Sequence, residues 1–336
     1  MLIFFKNKKV FLCLSLFIFA KLTGYSQEND VLSRFEFSHS SMGSLFKIIC
    51  YSTEETEVKQ TAKIAFSIID SLNLKMSDYL PESELMKLCR TSGKGIYKEV
   101  SEDLFNIISE SIYWSRWSEG AFDITIGAYT QLWRRAGRKE ILPAPDQLKK
   151  ASIAVDYHFI KLDSMNRSVL LSNPDMQLDL GGIAKGYAVD RVFSIFEKRG
   201  YNYLLVDGGG DIRTGDAPPG TQGWKIALDN RIGNDSIIFI SNVAIATSGD
   251  LYRFVEIDNI RYSHIINPAT GYGITIPRIV TVTAPTCAQA DVLASILNIT
   301  GANKGFELLT KLTGITAMIV EGIPEEDMTS YRYPAQ

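Results

Sequence analysis

The stretch Leu-Asp-Leu-Gly-Gly-Ile-Ala-Lys-Gly-Tyr-Ala-Val-Asp, residues 178–190, constrains the fold more than any other part of the chain. Apolar and polar residues alternate from Met176 to Leu180, and two glycines follow, which predicts a strand that ends in a tight turn. Apolar residues then recur at helical spacing as far as Phe196, and Gly200 stands where a helix cap is expected. The segment therefore predicts a strand, a glycine turn and a helix.

The chemistry of this segment suits an anion. Free amides at a helix start attract phosphate, Gly181 and Gly182 allow close approach to the backbone, and Lys185 adds a positive charge in the first turn. The spacing matches neither a P-loop nor the Gly-x-Gly-x-x-Gly of a dinucleotide fold. The alternative is an ordinary tight turn followed by a surface lysine.

A second segment, Ala-Asp-Val-Leu-Ala-Ser at 290–295, follows a predicted strand at Ile279–Thr283. The pattern predicts a helix over about 288–299 that Gly301 ends. Asp291 and Ser295 lie one turn apart on one helix face, so both can contact a single hard cation such as magnesium. The alternative is a solvated helix face. Together with the glycine turn, the pair suggests a metal-assisted diphosphate site.

Composition, charge and the N-terminus narrow the class of protein. The chain has 336 residues, 46% of them hydrophobic, and a net charge of -3, which offers no positive field for nucleic acid or an anionic membrane. Lys6, Lys8 and Lys9 precede an apolar run at 10–20, which predicts a secretory signal peptide over residues 1–26 and one domain over 27–336. The run is too short for a predicted membrane span, although an uncleaved anchor stays open.

Four cysteines are encoded, and cleavage of the signal peptide would remove Cys13. Cys50, Cys89 and Cys287 form neither a disulfide framework nor a zinc-binding spacing. We interpret Cys287, near the proposed metal helix, as a packing residue, because a thiol does not suit magnesium.

Further motifs follow in a distinctive order. They are Met42-Gly43-Ser44, Met76-Ser77-Asp78-Tyr79, Gly120-Ala121-Phe122-Asp123-Ile124-Thr125-Ile126-Gly127, Val206-Asp207-Gly208-Gly209-Gly210-Asp211, Ala246-Thr247-Ser248-Gly249-Asp250 and His264-Ile265-Ile266-Asn267-Pro268-Ala269-Thr270-Gly271. The series resembles the FAD:protein FMN transferases, the ApbE-like flavin transferase family, over essentially the whole predicted mature chain. The resemblance implies FAD as substrate, Mg2+ on its diphosphate, transfer of FMN to a threonine or serine of another protein, and release of AMP.

The resemblance also implies roles for individual residues. The metal ligands are Asp291, Ser295 and a backbone oxygen of Gly182, and Asp291 also counts as catalytic. The residues expected to contact FAD are Met42, Tyr79, Ala121, Phe122, Asp123, Asp179, Lys185, His264 and Ile265. Serine stands at 295 where the family has threonine, which keeps the hydroxyl but loses a methyl that restricts the rotamer.

His264 is the candidate general base, because an imidazole that titrates near neutral pH suits removal of a proton from an attacking alcohol. The alternative is a strand histidine that bonds to a carbonyl. Asn267 stands where the family has aspartate, so any orientation of the histidine by that carboxylate would have to be achieved differently here. We interpret His39 and His158 as structural or surface residues.

The remaining pattern predicts an α+β fold, since strands and helices do not alternate regularly. Helices are expected at about 58–72 and 101–117, the former with a capping box at Ser52 and Glu55. Strands are expected at 35–51, 203–207, 224–228 and 237–240. Residues 134–148 are expected to form a mobile connection and 216–220 a surface turn. The resemblance implies a single mixed domain of T-fold-like flavin transferase architecture with a flavin-binding cleft.

The sequence leaves two other functions open. A Mg2+-dependent FAD diphosphatase would use water in place of the protein hydroxyl, and a non-catalytic periplasmic FAD-binding protein would keep only the cleft. The joint presence of Asp291, Ser295 and His264 disfavours mere binding. The resemblance further implies that the acceptor is an exported electron-transport subunit or an extracellular flavoprotein. The protein itself is then expected in the periplasm or on the outer face of the cytoplasmic membrane.

Overall fold

The computed structural model describes residues 32–228, 237–249, 254–322 and 328–334, so the predicted signal peptide lies outside the described residues. The described strands are β1 (Ser33–Ser41), β2 (Ser44–Ser52), β3 (Lys98–Glu99), β4 (Ile160–Asp163), β5 (Ser168–Leu171), β6 (Leu204–Gly208), β7 (Ile212–Thr214), β8 (Trp224–Ala227), β9 (Ile237–Ile240), β10 (Ala244–Gly249), β11 (Phe254–Ile257), β12 (Ile260–Ser263), β13 (Arg278–Ala284), β14 (Thr316–Glu321) and β15 (Thr329–Tyr333). The described helices are α1 (Glu55–Met76), α2 (Glu84–Cys89), α3 (Glu102–Trp117), α4 (Gly127–Lys139), α5 (Pro145–Ser152), α6 (Ala184–Glu197) and α7 (Cys287–Leu309).

Within the described residues, eight strands form the main sheet in the order β1-β2-β6-β7-β10-β13-β14-β15, with every neighbouring pair antiparallel. Helices α1, α6 and α7 pack together with this sheet, and their apolar faces fill the main core between the layers. The mixed architecture of an antiparallel sheet with helices confirms the predicted α+β class.

A second, smaller core lies around α4. Tyr129, Trp133 and Leu132 of that helix pack with Leu148 of α5 and with Ile257, Tyr262 and Ile266, which lie on or just after the β11–β12 hairpin. This cluster fixes α4 against the segment that carries the candidate base.

One edge of the main sheet carries several of the predicted motifs. Phe46 pairs with Gly208, so the β1–β2 turn at Met42 and Gly43 and the β6–β7 turn at 209–211 lie at the same edge. Lys185, in the first turn of α6, forms an ion pair with Asp211 and therefore brings the start of α6 to that edge. We call it the site edge.

Two long helices agree closely with the sequence predictions. In α6 the predicted apolar face is buried, and Gly200, at φ +83°, follows the helix as expected of a cap. In α7 Thr286 caps the start, and Gly301, at φ +72°, interrupts the helix at the predicted end, after which the chain resumes helical geometry to Leu309.

Several local predictions are wrong. Residues 176–180 form no regular strand and keep only an isolated bridge between Gln177 and Ile126. Residues 134–148 are mostly helical, because α4 and α5 occupy them and bury apolar faces. The capping box at Ser52 and Glu55 is absent: the Ser52 hydroxyl accepts instead from the Glu54 N–H, over 3.0 Å.

The remaining elements fall near their predicted places. The strand expected at 35–51 is a hairpin, because Met42, at φ +50°, and Gly43, at φ +71°, form the turn between β1 and β2. The helix at 101–117 and the strands near 204, 224 and 237 are present. No helix in the described part of the chain has the length and apolar character that a membrane span needs.

Candidate functional site

The antiparallel pair α6 and α7 forms the centre of the candidate site. A Cβ atom placed on Gly182 would lie 3.1 Å from the hydroxyl oxygen of Ser295, so the glycine turn faces this hydroxyl directly. Four residues further along α6, the Gly186 N–H donates to Asp291 Oδ2 over 3.2 Å. The structure thus brings the predicted ligands Gly182, Asp291 and Ser295 onto one helix–helix contact.

Close helix approach explains why glycine stands at 186. A Cβ atom there would lie 2.4 Å from the carbonyl oxygen of Cys287, a distance that backbone atoms cannot accommodate without displacement. Cys287 is fully buried at this contact, in agreement with its interpretation as a packing residue. Small residues on α6 therefore set how near Asp291 can come to the glycine turn.

One cation, Lys185, and two buried carboxylates, Asp211 and Asp291, determine the electrostatics beside the α6–α7 contact. Asp291 is 6% exposed, and burial together with the nearby charge of Asp211 raises the pKa of Asp291 to about 7. Burial alone would lower the pKa of Lys185, but attraction to Asp211 and Asp291 outweighs it and raises that pKa. A second cation beside Asp291 would relieve the same repulsion between carboxylates.

The donor set at this point is oxygen-rich. Among the described residues, no group of three or more His, Cys, Asp or Glu side chains could hold a metal ion. One carboxylate, one hydroxyl and a backbone carbonyl instead suit a hard cation that keeps water and substrate phosphate in its shell. The residues present therefore fit magnesium better than zinc.

Asp179 connects the glycine turn to α4. Its Oδ1 accepts from the Gly181 N–H over 2.8 Å, and its Oδ2 accepts from the Thr130 hydroxyl of α4 over 2.9 Å. The Asp179 N–H donates to the carbonyl oxygen of Ile124 over 2.8 Å. The predicted FAD contact at Asp179 is thus also the residue that ties the glycine turn to two neighbouring segments.

Tyr79 is 74% exposed and lies beside α4. The guanidinium of Arg134 stacks over its ring at 3.9 Å and also pairs with Asp78 at 2.6 Å. Burial and the nearby carboxylate of Asp179 raise the pKa of Asp78. The exposed ring offers an aromatic surface on which a flat ligand could stack, and its contact with FAD stays a prediction.

The segment 121–123 approaches the glycine turn through Phe122. The ring of Phe122 is 3.2 Å from a Cβ placed on Gly182, which puts Phe122 next to Ser295. The Asp123 carboxylate accepts hydrogen bonds from the N–H and hydroxyl of Thr125 and from the N–H of Tyr157. Ala121 is half-buried in the turn before Phe122.

Met42 lies in the β1–β2 turn and is partly buried. The neighbouring Ser44 contacts Gly209, since a Cβ on Gly209 would overlap the Ser44 hydroxyl. Met42 thus lies near the β6–β7 turn that carries Asp211, at the site edge.

The candidate base His264 is exposed and follows directly after β12. The next residue, Ile265, donates its N–H to the Ser263 hydroxyl over 2.9 Å, and its carbonyl accepts from Ile274 over 3.0 Å. Asn267 Oδ1 accepts from the Ala269 N–H over 2.9 Å, so this side chain shapes the following turn. An aspartate oxygen could accept the same bond, so asparagine at this position can form the same turn.

Several residues of the site were not assigned roles from the sequence. Trp133 donates its indole N–H to the Gly271 carbonyl, Arg134 holds Tyr79 and Asp78, and Asp211 pairs with Lys185. Asp190 accepts hydrogen bonds from backbone amides of α7. Trp133 lies just beyond the motif at 120–127, and Asp211 lies within the motif at 206–211. The partners of all four residues lie in other segments of the chain, so no local sequence pattern indicates these contacts.

Comparisons with known proteins agree with this geometry. The model of the ApbE family matches residues 42–319. The FAD:protein FMN transferase of Haemophilus influenzae is 30% identical over 307 residues, which cover 86% of each chain. The protein of that name from Vibrio cholerae is 30% identical over 278 residues, 79% of this chain and 81% of the relative.

Solved structures show the same fold. The flavin transferase ApbE from Vibrio cholerae gives a TM-score of 0.79 at 26% identity, with 90% of this chain and 97% of that chain covered. The ApbE protein from Thermotoga maritima gives a TM-score of 0.78 at 26% identity and covers 89% of this chain. The chain is therefore an enzyme of the transferase class and belongs to the ApbE family.

Proposed function

We propose that this protein is a Mg2+-dependent FAD:protein FMN transferase that moves FMN from FAD to a threonine or serine hydroxyl of an exported flavoprotein and releases AMP. The observation that carries the proposal is the contact between Gly182 and Ser295, with buried Asp291 one helical turn away. The names of the relatives support FAD as the substrate and a protein as the acceptor of FMN.

Gly182, Asp291 and Ser295 would hold the magnesium ion through their oxygen atoms. Bound there, it would neutralise charge on the FAD diphosphate and favour departure of AMP. Lys185, in the first turn of α6, brings a fixed positive charge to the same place. Buried Asp211 keeps Lys185 at the site edge through their ion pair.

The transfer step needs an acceptor for one proton. The hydroxyl oxygen of the acceptor protein attacks the phosphorus of the FMN half, the bond from that phosphorus to the bridging oxygen breaks, and AMP leaves. His264 is exposed, so an incoming protein can reach it, and its imidazole can take the hydroxyl proton. Tyr79 would pack on a ring of FAD, with Arg134 supporting its other face.

Export is part of the proposal. Lysines followed by an apolar run at the N-terminus match a signal peptide, and the proposed acceptor is an exported electron-transport subunit or an extracellular flavoprotein. The protein would then act in the periplasm or on the outer face of the cytoplasmic membrane. Fractionation of cells that express the full chain tests this part, and recovery of the enzyme with cytoplasmic markers would contradict it.

The direct test of the chemistry is an intact-mass measurement. The protein lacking residues 1–26 is incubated with FAD, Mg2+ and a candidate acceptor domain, with and without a chelator. We expect a chelator-sensitive mass gain of one FMN on the acceptor, together with released AMP. Conversion of FAD to free FMN and AMP, with every acceptor tested left unmodified, would instead identify a diphosphatase.

A further inference from the structure

The contact between α6 and α7 repeats in step along both helices. Gly182, Gly186 and Asp190 follow one another at intervals of four residues on the α6 side, and each meets one level of α7. Gly182 faces Ser295, the Gly186 N–H donates to Asp291, and Asp190 accepts from the amides of Cys287 and Ala288. The contacts at Gly182 and Gly186 include the proposed metal ligands, and the third contact is formed by Asp190.

Asp190 joins three elements. Its Oδ1 accepts from the Cys287 N–H over 3.0 Å, its Oδ2 accepts from the Ala288 N–H over 2.9 Å, and Arg213 of β7 pairs with it at 2.7 Å. Arg213 also stacks over Phe193 of α6 at 4.4 Å, which fixes the guanidinium. A carboxylate on α6 is thereby bonded to the first amides of α7 and anchored to the sheet.

The first turn of α7 already has a cap of its own. Thr286 accepts from the Gln289 N–H over 3.3 Å, as an N-cap side chain normally does. The bonds from Asp190 come from another helix, so they fix the position of α7 along α6 in addition to satisfying amides. The ligands Asp291 and Ser295 lie one and two turns further along that helix and move with it.

We propose that Asp190 is a positioning residue that holds α7 where Asp291 and Ser295 face Gly182, and thereby sets the affinity of the site for its divalent cation. Groups that orient metal ligands from outside the coordination shell commonly change affinity by about 10–100-fold when removed. The inference rests on the proposed function only in taking these three residues as the metal ligands.

The test compares Asp190→Asn and Asp190→Ala with Thr286→Ala, which removes only the local cap of α7. Mn2+ serves as the metal probe, and its binding to the FAD-loaded protein is measured by electron paramagnetic resonance. We expect both Asp190 variants to bind Mn2+ roughly tenfold or more weakly than the parent, and Thr286→Ala to bind it within about threefold. The nearly isosteric Asp190→Asn keeps the comparison available if Asp190→Ala does not fold.

Urea unfolding of the same proteins separates positioning from general stability. If Asp190 served only as a helix cap, its asparagine variant and Thr286→Ala would lose Mn2+ affinity in proportion to their lost stability. Parent-like Mn2+ binding by the folded Asp190→Asn protein would overturn the proposal.

The parent protein distinguishes failure of this proposal from failure of the proposed function. Parent protein that binds Mn2+ but modifies no acceptor would contradict the transferase while leaving the role of Asp190 measurable. Parent protein that binds no Mn2+ with FAD present would overturn both.

Discussion

The indole N–H of Trp133 donates to the carbonyl oxygen of Gly271 over 2.7 Å, and so joins α4 to the turn that follows the candidate base. Gly271, at φ +73°, lies so close to the ring of Tyr129 that an added Cβ would come within 2.6 Å of it. The same helix holds Asp179 through Thr130 and Tyr79 through Arg134. Helix α4 therefore fixes three separate segments of the candidate site.

Replacement of Trp133 by phenylalanine keeps an aromatic ring but leaves the buried Gly271 carbonyl without its indole donor. We expect the free energy of unfolding to fall by about 1–3 kcal/mol. Transfer should fall roughly tenfold while FAD affinity stays within a few-fold, because the base shifts relative to the reacting atoms. Fluorescence titration with FAD and acceptor modification rates measure the two effects.

Trp224 offers the matched control, since its indole N–H donates to the carbonyl oxygen of Asp216 over 2.9 Å, outside the α4 cluster. Trp224→Phe should lose comparable stability and keep the rate of transfer. Equal losses of rate in the two variants would show that Trp133 acts only through stability.

Replacement of Asp291 by asparagine removes the negative charge from the proposed metal site while nearly preserving its shape. Transfer should fall about 100-fold or more, and FAD affinity by less than about tenfold, because the metal acts mainly on the developing charge. Asp163→Asn, at the end of β4, is the control with an unchanged rate. Near-normal transfer by the Asp291 variant would refute the metal assignment.

For Ser295 we predict one substitution that improves the use of Mg2+ and one that impairs it. Threonine at this position keeps the hydroxyl and restricts its rotamer, so Ser295→Thr should require a few-fold less Mg2+ for half-maximal transfer. Ser295→Ala, which lacks the oxygen, should require roughly tenfold more. Activity measured across a range of MgCl2 concentrations tests both. A higher requirement in the threonine variant would mean that Gly182 and Phe122 leave no room for the methyl.

Gly186 is predicted to tolerate no side chain. Gly186→Ala places a methyl 2.4 Å from the Cys287 carbonyl oxygen and should lower the free energy of unfolding by about 1–3 kcal/mol. Gly137→Ala is the matched control within α4, because its methyl meets only a side-chain atom of Val255, at 3.1 Å. Alanine's higher helix propensity should offset that contact. Urea unfolding curves of both variants provide the comparison, and parent-like stability of Gly186→Ala would contradict the close helix contact.

Periodicity predicted α6 and α7 well because each buries a long apolar face, and because a glycine with positive φ follows α6 and interrupts α7. It was wrong for residues 176–180, where Met176, Leu178 and Leu180 are buried alternately as in a strand. The Leu178 N–H there bonds to the sulfur of Cys89 and the Asp179 N–H to the Ile124 carbonyl, so no strand ladder forms. Burial alternation alone does not specify a hydrogen-bond partner.

For the candidate site, too, local spacing was predicted from the sequence and distant contacts were not. The helix spacing of Asp291 and Ser295 was visible in the sequence, because residues four apart share a face. The role of Gly182 as a third ligand beside them was implied only by the family resemblance, and the contacts of Asp190 and Trp133 were not predicted. Asp190 bonds to amides 97 and 98 residues away, and Trp133 to a carbonyl 138 residues away. Backbone acceptors and donors at such separations carry no residue identity that a pattern can detect.

The last prediction concerns pH and Asp103, which links three helices. Its carboxylate accepts from Lys75 of α1 over 2.6 Å and from the Tyr187 hydroxyl of α6 over 3.2 Å, and it lies 3.4 Å from Arg191. Burial acts to raise the pKa of Asp103, but the bond from Lys75 and the charge of Arg191 outweigh it, so the pKa is lowered. The stabilisation is therefore complete above the unfolded-state pKa and is lost as pH falls through the lower folded-state value.

At pH 7, Asp103→Asn should accordingly have a free energy of unfolding about 1 kcal/mol lower than that of the parent, as measured by urea unfolding. This difference should shrink as the pH is lowered toward 3. Glu102→Gln is the matched control: Glu102 is exposed and also lies in the first turn of α3, so it feels the same helix dipole. Its difference from the parent should be smaller at pH 7. A difference for Asp103→Asn that is constant across this pH range would show that the carboxylate's charge contributes nothing and that shape alone explains the loss.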